Sequence, residues 1–166
     1  INFRKKLGFI GNSFSNFFIE SNYALIDSNI RLDKNSDDVM ITELSTKNRP
    51  MQGQSPYVIN FNIGYDNLNT GRSAIFLYNE FGKRITALGS YGAPDYYEYP
   101  FKKLDFVVKW RLNDTYDEQV KRIGYSLNFK ALNILDSTVE TRQGDVVVVE
   151  TYKPGRSFTL SFSMKY

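Results

Sequence analysis

Apolar and polar residues alternate with a period of two through most of this 166-residue chain, and the cleanest stretch is the last. From Arg156 to Tyr166 the sequence reads RSFTLSFSMKY. Phe158, Leu160, Phe162, Met164 and Tyr166 occupy one face, with Ser157, Thr159, Ser161, Ser163 and Lys165 between them. A period of two is the signature of a β-strand with one apolar face. The same pattern places Tyr57, Ile59, Phe61, Ile63 and Tyr65 opposite Val58, Asn60, Asn62, Gly64 and Asp66. It places Leu104, Phe106, Val108, Trp110 and Leu112 opposite Asp105, Val107, Lys109 and Arg111. Ile123, Tyr125, Leu127 and Phe129 stand opposite Gly124, Ser126, Asn128 and Lys130. A more mixed alternation from Phe14 predicts a long strand ending near Ile30, with Phe17, Ile19, Ser21, Tyr23 and Leu25 on one face. Arg72 to Ala87 predicts another, but its facing is open, because Ala74, Phe76 and Tyr78 compete with Ile75, Leu77 and Phe81. Ile1 to Ser13, with Arg4, Lys5 and Lys6, reads either as a short helical turn or as the tail of an earlier strand.

The chain is therefore expected to be all-β, an antiparallel meander of about six long strands. Each stripe is long enough for a tilted strand crossing a bilayer, which takes roughly 9–11 residues. In the second stripe Tyr57 and Tyr65 bracket the apolar row about 27 Å apart, the spacing of aromatic belts at membrane interfaces. Alternation by itself also fits a soluble β-sandwich. The connections favour the membrane: they are long at 31–55, short at 67–71, long at 90–100, short at 113–119 and long at 136–155. Outer-membrane barrels pair short periplasmic turns with long extracellular loops. Within the last connection, Val146 to Val149 is expected to pair with the outgoing part of the preceding strand.

Composition narrows the function classes. Aromatic residues make up 16% of the chain (12 Tyr, 13 Phe, 1 Trp), yet its mean hydropathy is negative. Rings on one face and polar groups on the other produce that combination. No apolar run approaches the ~18 residues of a membrane helix, and INFRKKLGF has no signal-peptide core, so any export signal is expected upstream of residue 1. With no Cys and no His, disulfides, thiol chemistry and the commonest catalytic base are excluded. No G-x-S-x-G occurs, and the carboxylate pair Asp37 and Asp38 has nothing evident to raise a pKa, so no enzyme is expected. The net charge of +3 without a basic stripe gives no footprint for nucleic acid.

Ionised residues facing a narrow sandwich interior would be costly, whereas a wet lumen accepts them. Asn60, Asn62, Lys109, Asn128 and Ser161 are accordingly the lumen-facing candidates. Tyr91, Tyr96, Tyr97 and Tyr99, in a predicted exposed loop over 90–100, are weak candidates for ligand contact, since tyrosines also form interfacial belts. Asp33, Asn35, Asp37 and Asp38 have the opening spacing of a calcium loop. Asp38 stands where that loop turns on Gly, however, and Leu44 holds its closing position, so a solvent-facing loop is the better account. No cofactor or metal is expected.

GQSPYVINFNIGYDN (53–67), YNEFGKRI (78–85), NFKALNILDS (128–137) and the closing YKPGRSFTLSFSMKY together resemble the C-terminal barrel region of TonB-dependent outer-membrane receptors, especially the Bacteroidota-like branch. The resemblance covers nearly the whole chain as a single segment, 1–166, without the plug domain. It implies a place in a ~22-stranded plugged barrel that imports a scarce ligand such as a metal chelate, cobalamin or glycan. The implied partners are outer-membrane lipid, the rest of the barrel and plug, TonB through the N-terminal region, and the barrel-assembly machinery. That machinery would read Phe158, Leu160, Phe162, Met164 and Tyr166 as its signal. Six strands fall below the ~8 of a single-chain barrel, so the chain is expected to be a piece of a larger polypeptide. The alternatives are a complete small outer-membrane barrel acting as an adhesin or structural protein, and a soluble all-β binding module.

Overall fold

The computed structural model describes residues 1–33, 37–114 and 124–165. The turn and the start of the strand expected over 115–123 lie outside these, as do Asn35 and Tyr166. The chain is all-β apart from one 3₁₀ turn at Asn12–Phe14 and a short helix, α1 (Val39–Glu43). Seven strands form one antiparallel sheet: β1 (Asn2–Lys6), β2 (Phe17–Leu25), β5 (Tyr57–Asn67), β6 (Arg72–Phe81), β9 (Lys102–Asp114), β10 (Gly124–Leu132) and β13 (Ser157–Lys165). They lie side by side in chain order, with β1 and β13 as the two edges. A four-stranded sheet contains β7 (Arg84–Ala87), β8 (Tyr96–Glu98), β11 (Val139–Gln143) and β12 (Val147–Tyr152). A two-stranded ribbon pairs β3 (Ile30–Arg31) with β4 (Asn48–Arg49).

The strand count is seven where six were expected. The additional strand, β1, pairs residue for residue with β2 from Asn2↔Asn22 to Lys6↔Phe18. It settles the open reading of Ile1–Ser13 in favour of a strand, which NFRKK left undecided because consecutive cations blur the alternation while backbone pairing ignores side-chain polarity. Three further boundaries are corrected. The strand from Phe14 stops at Leu25 rather than near Ile30. The strand over 72–87 breaks after Phe81 and resumes at Arg84. The loop over 90–100 contains β8, which leaves Tyr96, Tyr97 and Tyr99 half-buried rather than exposed. The connection over 136–155, expected as a loop, contains β11 and β12, so Val147–Tyr152 pairs with Val139–Gln143 inside that connection rather than with the strand β10 that precedes it.

Register fixes the faces. Partners in an antiparallel pair share a side, so Phe61↔Tyr78, Ile63↔Phe76, Phe76↔Phe106 and Val108↔Phe129 carry one face across the sheet. Phe129↔Leu160 and Leu127↔Phe162 extend it to β13, and Ile19↔Ile63 extends it to β2. This face is predominantly apolar across the sheet, with Lys5 and Ser21 as polar positions near the β1 edge. The undecided strand is settled: Ala74, Phe76 and Tyr78 belong to the apolar face and Ile75 and Leu77 to the other. At one end the face finishes in Tyr57 and Tyr78, whose hydroxyls both donate to Glu80, with Lys102 beyond. At the other end stand Phe17, Tyr65, Trp110 and Tyr125, with the Arg72 guanidinium 4.8 Å from the Trp110 ring.

Among the described residues nothing covers this face. Phe61, Phe76 and Phe162 are 41%, 43% and 62% exposed, and the extensive contacts between elements are those between hydrogen-bonded neighbours. Among the described residues the buried apolar side chains are Phe18, Ile85 and Ala131. The accessible surface is 11518 Å², whereas a globular chain of 19.2 kDa exposes about 8,400 Å². Phe61, Phe106, Leu127 and Phe162 thus lie together on one open face, not between two packed sheets.

Apolar residues also meet on the polar face. Gly64 sits opposite Phe18 and Ile75, and a Cβ on Gly64 would fall 2.7 Å from the Phe18 ring. The ring fills the space the missing side chain leaves, an arrangement that rescues a glycine within a strand. Phe18 is consequently 8% exposed.

Candidate ligand-contact site at the long-loop rim

All the long connections lie at one end of the seven-stranded sheet. There β6, β9, β10 and β13 each meet a short break and then a partner in the second sheet, whose order β7-β8-β11-β12 repeats theirs. Two groups on the polar face anchor the break. Asp105 Oδ1 accepts the Asn133 backbone N–H at 2.9 Å, and its Oδ2 pairs with Lys103 at 2.8 Å. The Asn133 amide Nδ2 donates to the Gly155 carbonyl at 2.9 Å, tying the end of β10 to the start of β13. Asn133 itself has φ 54, a left-handed conformation that Asn tolerates better than most residues.

The connection between β7 and β8 doubles back tightly. A Cβ on Gly89 would fall 2.0 Å from the Ala93 carbonyl oxygen and 2.5 Å from that of Pro94, so only glycine fits. This close approach brings the Gly89 N–H to Asp95 Oδ1 at 2.8 Å. Asp95 is 2% exposed, and its Oδ2 has no hydrogen-bond partner. The connection from β2 to β5 crosses this hairpin: Ser45 N–H donates to the Gly89 carbonyl at 3.1 Å and Gly53 N–H to that of Ile85 at 2.8 Å. Between them is a cavity of about 580 Å³ whose wall includes Asp27, Lys83, Arg84, Asp95, Tyr97 and Asp145.

A compact charged cluster closes one side. Lys83 donates to Asp145 Oδ1, and its ammonium lies 4.2 Å from the Tyr97 ring and 5.0 Å from the Tyr99 ring. Tyr99 hydroxyl donates to the same Asp145 oxygen at 2.9 Å, and Arg142 stands 4.6 Å from the Tyr99 ring. Hydrogen bonds from Lys83 and Tyr99 hold the Asp145 carboxyl below its ordinary 3.8. Burial works against the Lys83 charge, but bonding to Asp145 and the nearby Tyr99 outweigh it and hold its ammonium above the ordinary 10.5. Burial, followed by the Asp95 charge, pushes the Tyr97 phenol above 10.0.

No known protein family, curated protein or solved structure matches this chain. The site is therefore read from its own geometry.

Register puts all five polar candidates on one face. Asn128 pairs with both Lys109 and Ser161, Lys109 pairs with Ser73, and Ser73 pairs with Asp66 on the strand row of Asn60 and Asn62. The four tyrosines separate. Tyr97 and Tyr99 converge on Lys83, whereas Tyr96 alternates to the other side of β8 and Tyr91, 79% exposed, stands apart beside Glu43. Asp33, Asp37 and Asp38 lie in the connection ahead of α1. Among the described residues no group of three acidic side chains is gathered to hold a metal ion. Phe158, Leu160, Phe162 and Met164 share the apolar face of the edge strand β13. Sequence reasoning missed Lys83, Asp95, Arg142 and Asp145, whose convergence depends on pairing between distant strands. The signal that was present is Gly89 with Ala93, Pro94 and Asp95, a turn-forming cluster that reads as a tight reversal.

Proposed function

We propose that this chain forms part of the wall of a transmembrane β-barrel in a bacterial outer membrane, with the apolar face of the seven-stranded sheet against lipid and the polar face toward the lumen. The observation that carries this reading is the uncovered apolar face, seven strands wide and finished by aromatic residues at both ends. Burying a large apolar side chain is worth roughly 1.5–3 kcal/mol, so an open row of Phe, Leu, Ile and Trp requires an apolar surrounding. Lipid supplies it, and Tyr and Trp at the margins suit the interface. The unpaired edges β1 and β13 would be completed by other strands of the barrel, since open edges are not tolerated in lipid.

Together with the sequence resemblance, this supports assignment to a TonB-dependent receptor that imports a scarce ligand of the metal-chelate, cobalamin or glycan class, the rim cavity being part of its ligand-contact surface. The polar row from Asn60 to Ser161 would face the plug, TonB would act through the N-terminal region, and the barrel-assembly machinery would engage β13. The decisive experiment places spin labels at Phe61, Phe76, Phe129 and Leu160 and at Asn60, Asn62, Lys109 and Asn128 of the parent protein in lipid vesicles. The first set is expected to relax with oxygen and the second with a water-soluble nickel chelate. The reverse pattern, or no difference between the sets, rejects the membrane reading. The receptor assignment is tested separately, by whether uptake through the parent protein stops when TonB is deleted.

A further inference from the structure

The cavity beneath the connection from β2 to β5 has a volume of about 580 Å³, within the usual range for small-molecule sites. Its charges are unequally satisfied. Lys83 is bound to Asp145, and Arg84 to Glu98 at 2.7 Å. Both cations of the wall are thus occupied by carboxylates. Asp95 is the reverse case: it is 2% exposed, one oxygen holds the Gly89 N–H, and the other has no partner. Asp27, exposed on the same wall, adds a second carboxylate. A carboxylate taken out of water without a compensating charge is costly, and the cost is relieved when a positive group approaches. An anionic ligand would be repelled here, and a neutral hydroxyl would bond without neutralising the charge.

We propose that this cavity receives a small organic cation, an alkylammonium or alkylguanidinium group carried by the ligand, with the Asp95 carboxylate as its counter-ion. The proposal rests on reading the rim as a ligand-contact surface, but it is tested by binding, without reference to lipid exposure or to TonB. Asp95→Asn is the informative change. Its Oδ1 still accepts the Gly89 N–H, so the turn is kept, while the unpartnered oxygen becomes an amide donor that opposes a cation.

The experiment is calorimetric titration of the parent protein in detergent with acetyl-arginine amide and acetyl-lysine amide. Neutral comparators are acetyl-citrulline amide, acetyl-norleucine amide and methyl glucoside. The cationic probes are expected to bind at least about tenfold more tightly than their neutral isosteres, and Asp95→Asn to weaken them by about tenfold, the scale of a charged hydrogen bond. Unliganded Asp95→Asn is expected to melt at or above the temperature of the unsubstituted protein, because the uncompensated buried charge is removed while the bond to the Gly89 N–H is kept. Asp27→Asn, at an exposed position, is expected to weaken cation binding by about twofold and to reduce its salt dependence. If Asp95→Asn fails to fold, Asp27→Asn decides. Equal binding of citrulline, tighter binding of the glucoside, no binding of either cation at millimolar concentration, or unchanged affinity in the variants overturns the proposal. Cation binding in a protein that fails the lipid-exposure test would leave this inference standing and reject the membrane reading alone.

Discussion

Phe76 and Leu77 are adjacent apolar residues that similarity of side chain would treat alike, and register assigns them opposite surroundings. Phe76 pairs with Ile63 and Phe106 on the apolar face, and its ring stacks on Phe106 with centroids 4.3 Å apart. It stands midway along its row on β6, with Arg72 and Ala74 on one side and Tyr78 and Glu80 on the other. Leu77 pairs with Asn62 and Asp105 on the polar face. An arginine in place of Phe76 would sit near mid-membrane, where the cost is about 2–4 kcal/mol. Loss of the ring stack adds about 0.5–1.5 kcal/mol, so Phe76→Arg is expected to destabilise by about 3–5 kcal/mol. Leu77→Arg loses a half-buried side chain but gains a carboxylate neighbour in Asp105, and its net cost is expected to stay near or below about 1 kcal/mol. The assay is reversible urea unfolding in lipid vesicles, supported by heat-modifiable migration on gels. Equal costs, or a larger cost at Leu77, would refute both the assignment of faces and the membrane reading built on it.

On the edge strand, Phe162→Arg is expected to abolish folded insertion at a cost of about 2–4 kcal/mol, while Ser161→Arg, on the polar row with Asn128, leaves it intact; surface display of the parent protein reads the difference. Gly89→Ala is expected to open the connection between β7 and β8, because its Cβ would meet the Ala93 carbonyl at 2.0 Å. Limited proteolysis within residues 88–95 should rise while the seven-stranded sheet keeps its unfolding midpoint. The rim cluster has a defined pH window. The Asp145 carboxyl is held below 3.8 in the folded state, so its contribution is present above that value and is lost as pH falls through the lower folded value. The Lys83 ammonium is held above 10.5, so its contribution is full below 10.5 and is lost as pH rises through the higher folded value. Near-ultraviolet dichroism from Tyr97 and Tyr99 should be constant from about pH 4 to about pH 9, below the range in which phenols themselves ionise, and the acid limb should report the loss of Asp145; a midpoint near neutral pH would contradict the assignment.

Strands with one largely polar row were legible from sequence, as in β5 and β13, because a period of two needs no tertiary information when the two faces differ this sharply. The facing of β6 was not legible, and the reason is local. Its polar-side residue Ile75 belongs to the apolar group around Phe18 and Gly64, so both rows of the strand are apolar and only pairing with β5 and β9 separates them. β1 was left undecided, as strand or helical turn, by its consecutive cations. The rim site was less legible still: Lys83 and Asp145 are 62 positions apart, and what joins them is the repetition of strand order in the second sheet. Tyr97 and Tyr99 were visible as candidates, but the choice between them and Tyr96 required the alternation of β8.

The repeated strand order also bears on how much ordering a ligand must impose when it arrives. Flexible loops at a barrel mouth would have to be immobilised on binding, at roughly 1–2 kcal/mol of backbone entropy for each residue fixed. Here β7, β8, β11 and β12 are already hydrogen-bonded to one another, and Asp105, Asn133 and Gly155 fasten the junction to the strands below. Much of that entropy is lost during folding, before any ligand is present. A ligand of the kind proposed would therefore meet the rim as a preorganised surface, and a larger share of each contact made there would appear as affinity.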